Sequence, residues 1–387
     1  MFTLPTGIVA EWNPFHLGHE GMIRKLKEEN PDTPLFAVMS GSFVQRGEPA
    51  LFDPWTRAKW AVEAGADAVF ELPVLASLQS ADRFAEEGAR LLFSLGCGAM
   101  YFGTESLEAE ELEDAASYGL SPSWTDGLHR FLKEGLSYAQ ASAEAMRLHS
   151  PHLAEELTNP NNLLGYRYAT AILSHHWPMA LHVFHRDMDH NISATAARKE
   201  LLEKGCSSLL PETAAEEAKE LMGKGNFTDF HRYEEACLLT SRLMDERALA
   251  ATGLFTEGLE HKWFKESQRT SYRDMLDHIK SKRYLYSRLK RTGAQLLIGG
   301  AGPSPFLSRT IPTYGRLLAL RREKSGLLKD VSLPLITSMA RALKTVSPEI
   351  RDSLLLDIRA SDIRSWCLHG EPYRQARQEY YRSPVVV

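Results

Sequence analysis

Short apolar runs recur along the first quarter of the chain at a spacing of roughly thirty residues, with amphipathic stretches between them. They read "TGIVA" (Thr6–Ala10), "PLFAVM" (Pro34–Met39), "DAVFELPV" (Asp67–Val74) and "AMYFG" (Ala99–Gly103). Each has the length and composition of a buried strand. The intervening stretches Gly18–Glu29, Pro54–Ala64 and Arg83–Ser94 carry helical periodicity. Asp53 is placed to cap the second of these helices, with Pro54 at its first position. Near-continuous apolar strands alternating with helices predict a parallel sheet covered on both faces. A fifth strand is expected at Ala180–Phe184, followed by "ISATAARKELLEKG", where Ser193 caps a helix ending near Gly205.

Acidic, alanine-rich helical sequence at about 106–178 interrupts this rhythm and predicts an insertion between strands four and five. From residue 207 onward the strand signal fades. "EEACLLTSRLMDERALAATG", "YRDMLDHIKSKRYLYSRLKRTGAQLLIGG" and "VSLPLITSMARALKTV" each read as an amphipathic helix. The expected organisation is α/β: a catalytic domain over residues 1–206, then a mostly helical domain over 207–387.

Composition narrows the class. A chain of 387 residues with 43% apolar content can bury a sizeable core in two domains. The net charge of −5 and pI of about 6.3 exclude a globally basic nucleic-acid coat, though not a local basic face. Cys97, Cys206, Cys237 and Cys367 are scattered without a C-x-x-C pair. That argues against a zinc ribbon or a disulfide framework and fits a reducing compartment. "MFTLPTGIVAEW" has no basic segment leading into a long apolar one, so no secretory signal is expected. No run of 18 apolar residues occurs, so neither is a membrane span. The expected location is the cytoplasm.

The turn "NPFHLGHE" leads from the first strand into a helix. A helix start exposes unpaired N–H groups and a partial positive charge, which together favour phosphate. Gly18 lets a nucleotide approach the backbone, while His16 and His19 can donate hydrogen bonds to phosphate oxygens. Such donors stabilise charge as it shifts onto leaving pyrophosphate. The plain alternative is a turn whose histidines satisfy only local bonds. Ser193, Ala194 and Thr195 open the helix after the fifth strand, with Arg198 one turn inside. Hydroxyls, amides and a guanidinium there make a second phosphate cradle; the alternative is an ordinary cap with a solvent-facing arginine. "SGSFVQRGEPALFD" (40–53) follows the second strand, so Gln45, Arg46 and Glu48 either face a nucleotide or an acceptor base, or form a long surface loop. There is no Walker A motif, no G-x-G-x-x-G and no metal-ligand cluster. A metal ion travelling with a nucleotide has no dedicated carboxylate cage in the sequence.

In this order the two turns resemble the nucleotidyltransferase superfamily, in which an H-x-G-H turn and an I-S-S-T-x-x-R-like turn clamp a nucleoside triphosphate. Longer stretches are similar to the bacterial tRNA(Met) cytidine acetate ligase family: "GIVAEWNPFHLGH" (7–19), "AVMSGSFVQRGEPALFDPWTRAKWAVEAGADAVFELPV" (37–74), "YFGTE" (101–105), "PNNLLGYRY" (160–168) and "ISATAARK" (192–199). "TEGLEHK" (256–262), "KSKRYLYSRLKR" (280–291) and "SLPLIT" (332–337) continue the match. The resemblance implies a Rossmann-like nucleotidyltransferase sheet and a tRNA-binding helical domain. It also implies an enzyme that uses ATP and acetate to make acetyl-adenylate and acetylates the exocyclic amine of the wobble cytidine of elongator tRNA(Met). By motif matching, catalysis falls to His16, His19, Ser193, Thr195 and Arg198. The ATP site takes Val9, Ala10, Glu11, Asn13, Pro14, Phe15, His16, Gly18 and His19, with Gly103, Asn161 or Asn162, and Arg186. Read alone, Asn161 and Asn162 are helix caps. The family's G-A-x-Y-H-D stretch ahead of the I-S-A-T turn is absent; "FHRDMDHN" stands there, with His185 beside Arg186 and with Asp189 and His190 as candidate substitutes.

Between His278 and Arg322 there is no acidic residue but ten lysines and arginines. Lys280, Lys282, Arg283, Arg288, Lys290 and Arg291 cluster around Tyr284 and Tyr286. The cations can neutralise RNA phosphates and the aromatics can stack on unpaired bases; the alternative is a solvated basic face with core tyrosines. RNA, not DNA or a membrane, is the expected partner. Two rival functions are a small-molecule adenylyl- or cytidylyltransferase and a non-catalytic RNA-binding relative. The large basic helical half argues against the first, and intact His16, His19, Ser193 and Arg198 against the second. A class I aminoacyl-tRNA synthetase is disfavoured because no K-M-S-K-S loop follows the last strand.

Overall fold

The computed structural model describes residues 4–185, 192–281 and 283–387. In chain order its strands are β1 (Thr6–Ala10), β2 (Leu35–Ser40), β3 (Phe43–Val44), β4 (Glu48–Pro49), β5 (Ala68–Leu72), β6 (Ala99–Thr104), β7 (Ala180–His185), β8 (Gly315–Leu320), β9 (Leu335–Ile336) and β10 (Val385–Val386). β3 and β4 form a small hairpin; the others form one sheet in the order β10-β8-β5-β2-β1-β6-β7, with β9 also on β8. From β5 through β2, β1 and β6 to β7 every pairing is parallel. β8 joins β5 antiparallel.

Helices α1 (Leu17–Glu29), α2 (Pro54–Glu63), α3 (Val74–Ser77) and α4 (Ala81–Ser94) connect the early strands. Between β6 and β7 lie α5 (Ala109–Gly119), α6 (Pro122–Lys133), α7 (Tyr138–His149), α8 (Pro151–Glu156) and α9 (Pro160–Ser174). After β7 come α10 (Ala194–Lys204), α11 (Glu212–Lys224), α12 (Phe230–Arg242), α13 (Glu246–Ala251), α14 (Leu259–Glu266), α15 (Tyr272–Ile279) and α16 (Tyr286–Gly299). α17 (Met339–Thr345) and α18 (Pro348–Trp366) follow β9. Asp53 caps α2 as its sequence predicts, its carboxylate accepting the Thr56 N–H at 2.9 Å.

The two-sided burial that makes the strands so apolar is visible along β2. Leu35, Ala37 and Met39 pack with Ile23, Ala58, Ala61 and Ala197 of α1, α2 and α10. Phe36 and Val38 face the other way, toward Ala89 and Leu92 of α4 and Tyr168 of α9. Alternate residues thus enter opposite layers.

Two expectations need correction. The second half is not only helical: β8 brings a fully buried six-residue strand, "GRLLAL", into the sheet, and β9 and β10 pair with it. Arg316 within β8 obscured the strand signal. It is buried in an ion-pair cluster with Glu71 of β5 and with Glu379. Burial raises the Glu71 carboxyl well above the usual carboxylate range, against the pull of Arg316. Second, none of the three later helical stretches is one helix: Glu234–Gly253 divides between α12 and α13, Val331–Val346 holds β9 ahead of α17, and Tyr272–Gly300 divides between α15 and α16. α15 ends at Ile279, and a turn in which Ser281 N–H donates to the Tyr284 carbonyl at 3.2 Å separates it from α16.

The topology also opens a crevice. β1 pairs with β2 along its whole length, whereas its pairing with β6 is confined to Thr6–Ala99 and Gly7–Met100. Beyond that point the carboxyl ends of β1 and β6 part. This is where chain order reverses across the sheet, the place where open α/β sheets bind ligands.

Candidate active site

The turn after β1 occupies the crevice mouth. Trp12 takes a φ of +44°, rare for a bulky side chain, and is held there by complete burial. His16 is the N-cap of α1 and is only 2% exposed, so it is not the open turn residue its sequence suggests. The Gly18 N–H donates to His16 Nδ1 at 3.2 Å, and the His16 N–H donates to His19 Nδ1 at 3.2 Å. The two rings stack with centroids 3.6 Å apart. Since both Nδ1 atoms accept, the neutral tautomer carries its proton on Nε2 of each ring. An Nε2–H is a hydrogen-bond donor of the kind phosphate oxygens accept. Gly18 lies close under the His16 ring: a Cβ there would sit 3.1 Å from His16 Cε1, so the ring would have to shift by a few tenths of an ångström.

The second turn comes against the first. Ser193 caps α10, accepting the Ala196 N–H at 3.2 Å, and Thr195 is exposed beside it. Arg198 reaches across to donate to the Asn13 carbonyl and lies 3.9 Å from Glu48. Asn13 Oδ1 accepts the Leu51 N–H at 2.8 Å, while its Nδ2 and the Trp12 indole N–H find no acceptor among the described residues. Burial lowers the Arg198 guanidinium from its ordinary value, with Glu48 opposing the shift.

Segment 40–53 is a packed hairpin rather than a surface loop. Ser42, Phe43 and Val44 are buried, the Gln45 N–H donates to Glu11 Oε1 at 2.5 Å, and Gln45 Nε2 donates to the Gln79 carbonyl at 3.2 Å. Only Arg46 is exposed at the tip. Burial raises the Glu11 carboxyl, with the Gln45 hydrogen bond and Arg46 opposing it. Sequence reasoning missed Arg57. Wholly buried on α2, it donates to the carbonyls of Glu11, Ser40, Gly41 and Phe52, and so ties together the loops after β1 and β2. Burial pushes its guanidinium down to about 9.

Other expected residues fall less directly on the crevice. Val9 and Ala10 end β1 and are half-buried; Pro14 and Phe15 are buried in the turn. Gly103 sits on β6, paired with Phe184 of β7. Asn161 and Asn162 are not caps but lie within the first turn of α9, after the cap Asn159. Asn162 is fully buried, accepts the Glu105 N–H at 3.0 Å and donates to Ser106 Oγ at 2.9 Å. Asn161 Nδ2 donates to Glu105 at 2.6 Å. Both amides therefore pin the end of "YFGTE" to α9. His185 binds Glu108 at 2.7 Å. Arg186, Asp189, His190 and Lys282 lie outside the described residues.

The basic segment is less open than its sequence implies. Tyr284 is buried, and its hydroxyl donates to the Glu257 carbonyl at 2.9 Å, so it offers no stacking face. Arg288 donates to Thr256 Oγ1 at 2.8 Å. Lys290 pairs with Glu48 at 3.1 Å, and Arg291 is half-buried behind Gly47. Lys280 and Arg283 remain exposed.

A strand–turn–helix bearing H-x-G-H, faced by a Ser-capped helix start with an inward arginine, defines a class. A family model described as HIGH Nucleotidyl Transferase matches residues 4–379. Among curated proteins, the tRNA(Met) cytidine acetate ligase of Bacillus licheniformis is 33% identical, over 98% of this chain and 96% of that protein. That of Bacillus subtilis is 32% identical over the same shares. Among solved structures, Thermotoga maritima TmcAL bound with alpha-thio ATP superposes with a TM-score of 0.86 at 28% identity, covering 99% of both chains. Its apo form gives 0.88 at 27%. The chain belongs to the tRNA(Met) cytidine acetate ligase family.

Proposed function

We propose that the protein condenses ATP with acetate to give acetyl-adenylate and pyrophosphate, then acetylates the wobble cytidine of elongator tRNA(Met). In the second step the cytidine amine nitrogen bonds to the acetyl carbon, the bond from that carbon to AMP breaks, and the amine loses one proton. The observation that carries this reading is the Arg198 hydrogen bond to the Asn13 carbonyl, which joins the two turns into one site in a chain similar end to end to such ligases. His16 and His19 bind phosphate oxygens from one side; Ser193, Thr195 and Arg198 do so from the other. Charge moving onto leaving pyrophosphate is then met by preorganised donors, and little covalent work is left to the protein. Buried donors without acceptors, such as Trp12 Nε1–H and Asn13 Nδ2, each cost about 1–3 kcal/mol, which a ligand oxygen offsets.

Magnesium enters with the ATP phosphates. Among the described residues no group of three His, Cys, Asp or Glu side chains is placed to hold a metal. Likewise, no described helix is long and apolar enough to cross a membrane. The helices of residues 207–387 present the tRNA-binding surface, with Lys280 and Arg283 as its exposed cations and the cytoplasm as its location. The test is acetate-dependent ATP–pyrophosphate exchange in wild type and Arg198→Ala, with tRNA affinity measured alongside. Exchange should collapse in the variant while tRNA affinity without ATP holds. Lost tRNA binding with normal exchange would move Arg198 to the RNA surface.

A further inference from the structure

A cleft of about 430 Å³ opens between α10 and the helical half. Thr195 and Arg198 line one wall; Phe230, Tyr233 and Tyr286, from α12 and α16, line the other. Glu48 of the hairpin lies between them, 3.1 Å from Lys290 Nζ and 3.9 Å from Arg198 Nη2. The sequence offers Glu48, Arg198 and Tyr286 separately as candidates, but not their meeting in one cleft, because its walls come from segments far apart in the chain.

We propose that this cleft is the acceptor-nucleoside subsite, in which an unstacked cytosine packs on the aromatic wall and gives its exocyclic amine to the Glu48 carboxylate. The proposal rests on the acetate-ligase reading. Three features carry it. The volume suits one nucleotide and falls in the range of small-ligand pockets. Single-stranded RNA is read by splaying bases onto aromatic side chains, and Tyr286 is half-buried on this wall. An ionised carboxylate accepts hydrogen bonds only, so it selects the amine of cytosine against the carbonyl oxygen of uracil at the same position. Lys290 and Arg198 on either side hold the Glu48 side chain in place. Arg198 belongs to both the cleft and the second phosphate turn, so a base bound here lies next to the acyl group to be transferred. Arg273, at the rim with its side chain 72% exposed, lies 3.7 Å from Glu234 and can turn from that surface pair to meet a flanking phosphate.

The test compares wild type, Glu48→Gln and Arg273→Ala in acetate-dependent ATP–pyrophosphate exchange and in acetyl transfer to a tRNA(Met) transcript. A transcript with uridine at the wobble position serves as competitor. Glu48→Gln should keep exchange within about twofold of wild type yet lose transfer roughly tenfold or more. Its uridine transcript should now compete as well as the cytidine one, since an amide can donate to the uracil oxygen. Arg273→Ala, too exposed to disturb folding, should raise KM for tRNA a few-fold with exchange unchanged. Normal transfer by Glu48→Gln overturns the proposal. So does exchange that falls in step with transfer, because the cleft would then belong to ATP. A wild type that supports exchange but acetylates no tRNA cytidine overturns the acetate-ligase reading itself, and the proposal with it.

Discussion

Gly47 joins the catalytic sheet to the helical half, and replacing it with alanine should cost more than any other single methyl group in the hairpin. Its φ is +78°, its N–H donates to the Val44 carbonyl at 2.9 Å, and its carbonyl accepts the Tyr233 hydroxyl at 2.9 Å. A Cβ built there would lie 2.5 Å from the Arg291 backbone nitrogen and 2.6 Å from the Lys290 carbonyl carbon. Ordinary contact begins at 3.4 Å, so α16 would have to retreat by 3.4 − 2.5 = 0.9 Å. The left-handed backbone costs an L-residue about 1–2 kcal/mol. Overpacking against backbone that cannot rotate away adds about 1–3 kcal/mol. Gly47→Ala should therefore lose about 2–5 kcal/mol in urea denaturation, read as a lower midpoint at unchanged slope. Acetyl transfer to tRNA should fall further than pyrophosphate exchange, because the Lys290–Glu48 pair is displaced. A loss under about 0.5 kcal/mol, the scatter of neutral surface substitutions, would refute the close docking of α16 on the hairpin.

His16→Asn keeps a good N-cap on α1 but removes the imidazole, so exchange should drop roughly 10²–10³-fold with an unchanged urea midpoint; near-normal exchange would leave His16 only a capping role. Because Glu71 has its folded pKa raised from 4.5 to about 8, folding takes up a proton between those values, and its contribution, full below 4.5, is lost as pH rises toward 8. Glu71→Gln should accordingly lose less stability than wild type between pH 5 and 8 in paired denaturation curves; equal losses would dismiss the buried protonated carboxyl. Lys280→Ala with Arg283→Ala should weaken tRNA binding and lower the slope of log affinity against log salt by roughly 1.5, about 0.7–0.9 per lost phosphate contact. An unchanged slope would place the RNA elsewhere.

Elements whose signal is local were legible. β1, β2, β5, β6 and β7 each come from a short, mainly apolar run, broken within β5 by Glu71 and within β7 by His182, and Asp53–Pro54 marked the start of α2 to the residue. β8 was missed because Arg316 interrupts its pattern, and the carboxylates that make burial tolerable come from Glu71 and Glu379, far away in the chain. The same cause misled the charge count. Of the ten cations between His278 and Arg322, Arg316 pairs with Glu379 and packs against Glu71, Lys290 pairs with Glu48 at 3.1 Å, and Arg321 faces Asp67 at 3.6 Å. A gap in acidic residues along the chain is not a gap in space. The two helix starts could be found from motif and position, since capping chemistry is short-range. The stacking of His16 on His19, the Arg57 clamp and the cleft at Glu48 depend on tertiary approach and leave no mark on spacing.

The central claim is that this chain moves acetate through ATP onto a tRNA cytidine, and one incubation tests it directly. Purified protein is mixed with ATP, radiolabelled acetate and bulk tRNA, and the recovered RNA is digested to nucleosides and resolved. The account predicts label in acetylcytidine from elongator tRNA(Met), dependent on ATP and abolished by His16→Asn. Label in no nucleoside, from a folded protein supplied with all three substrates, would contradict it.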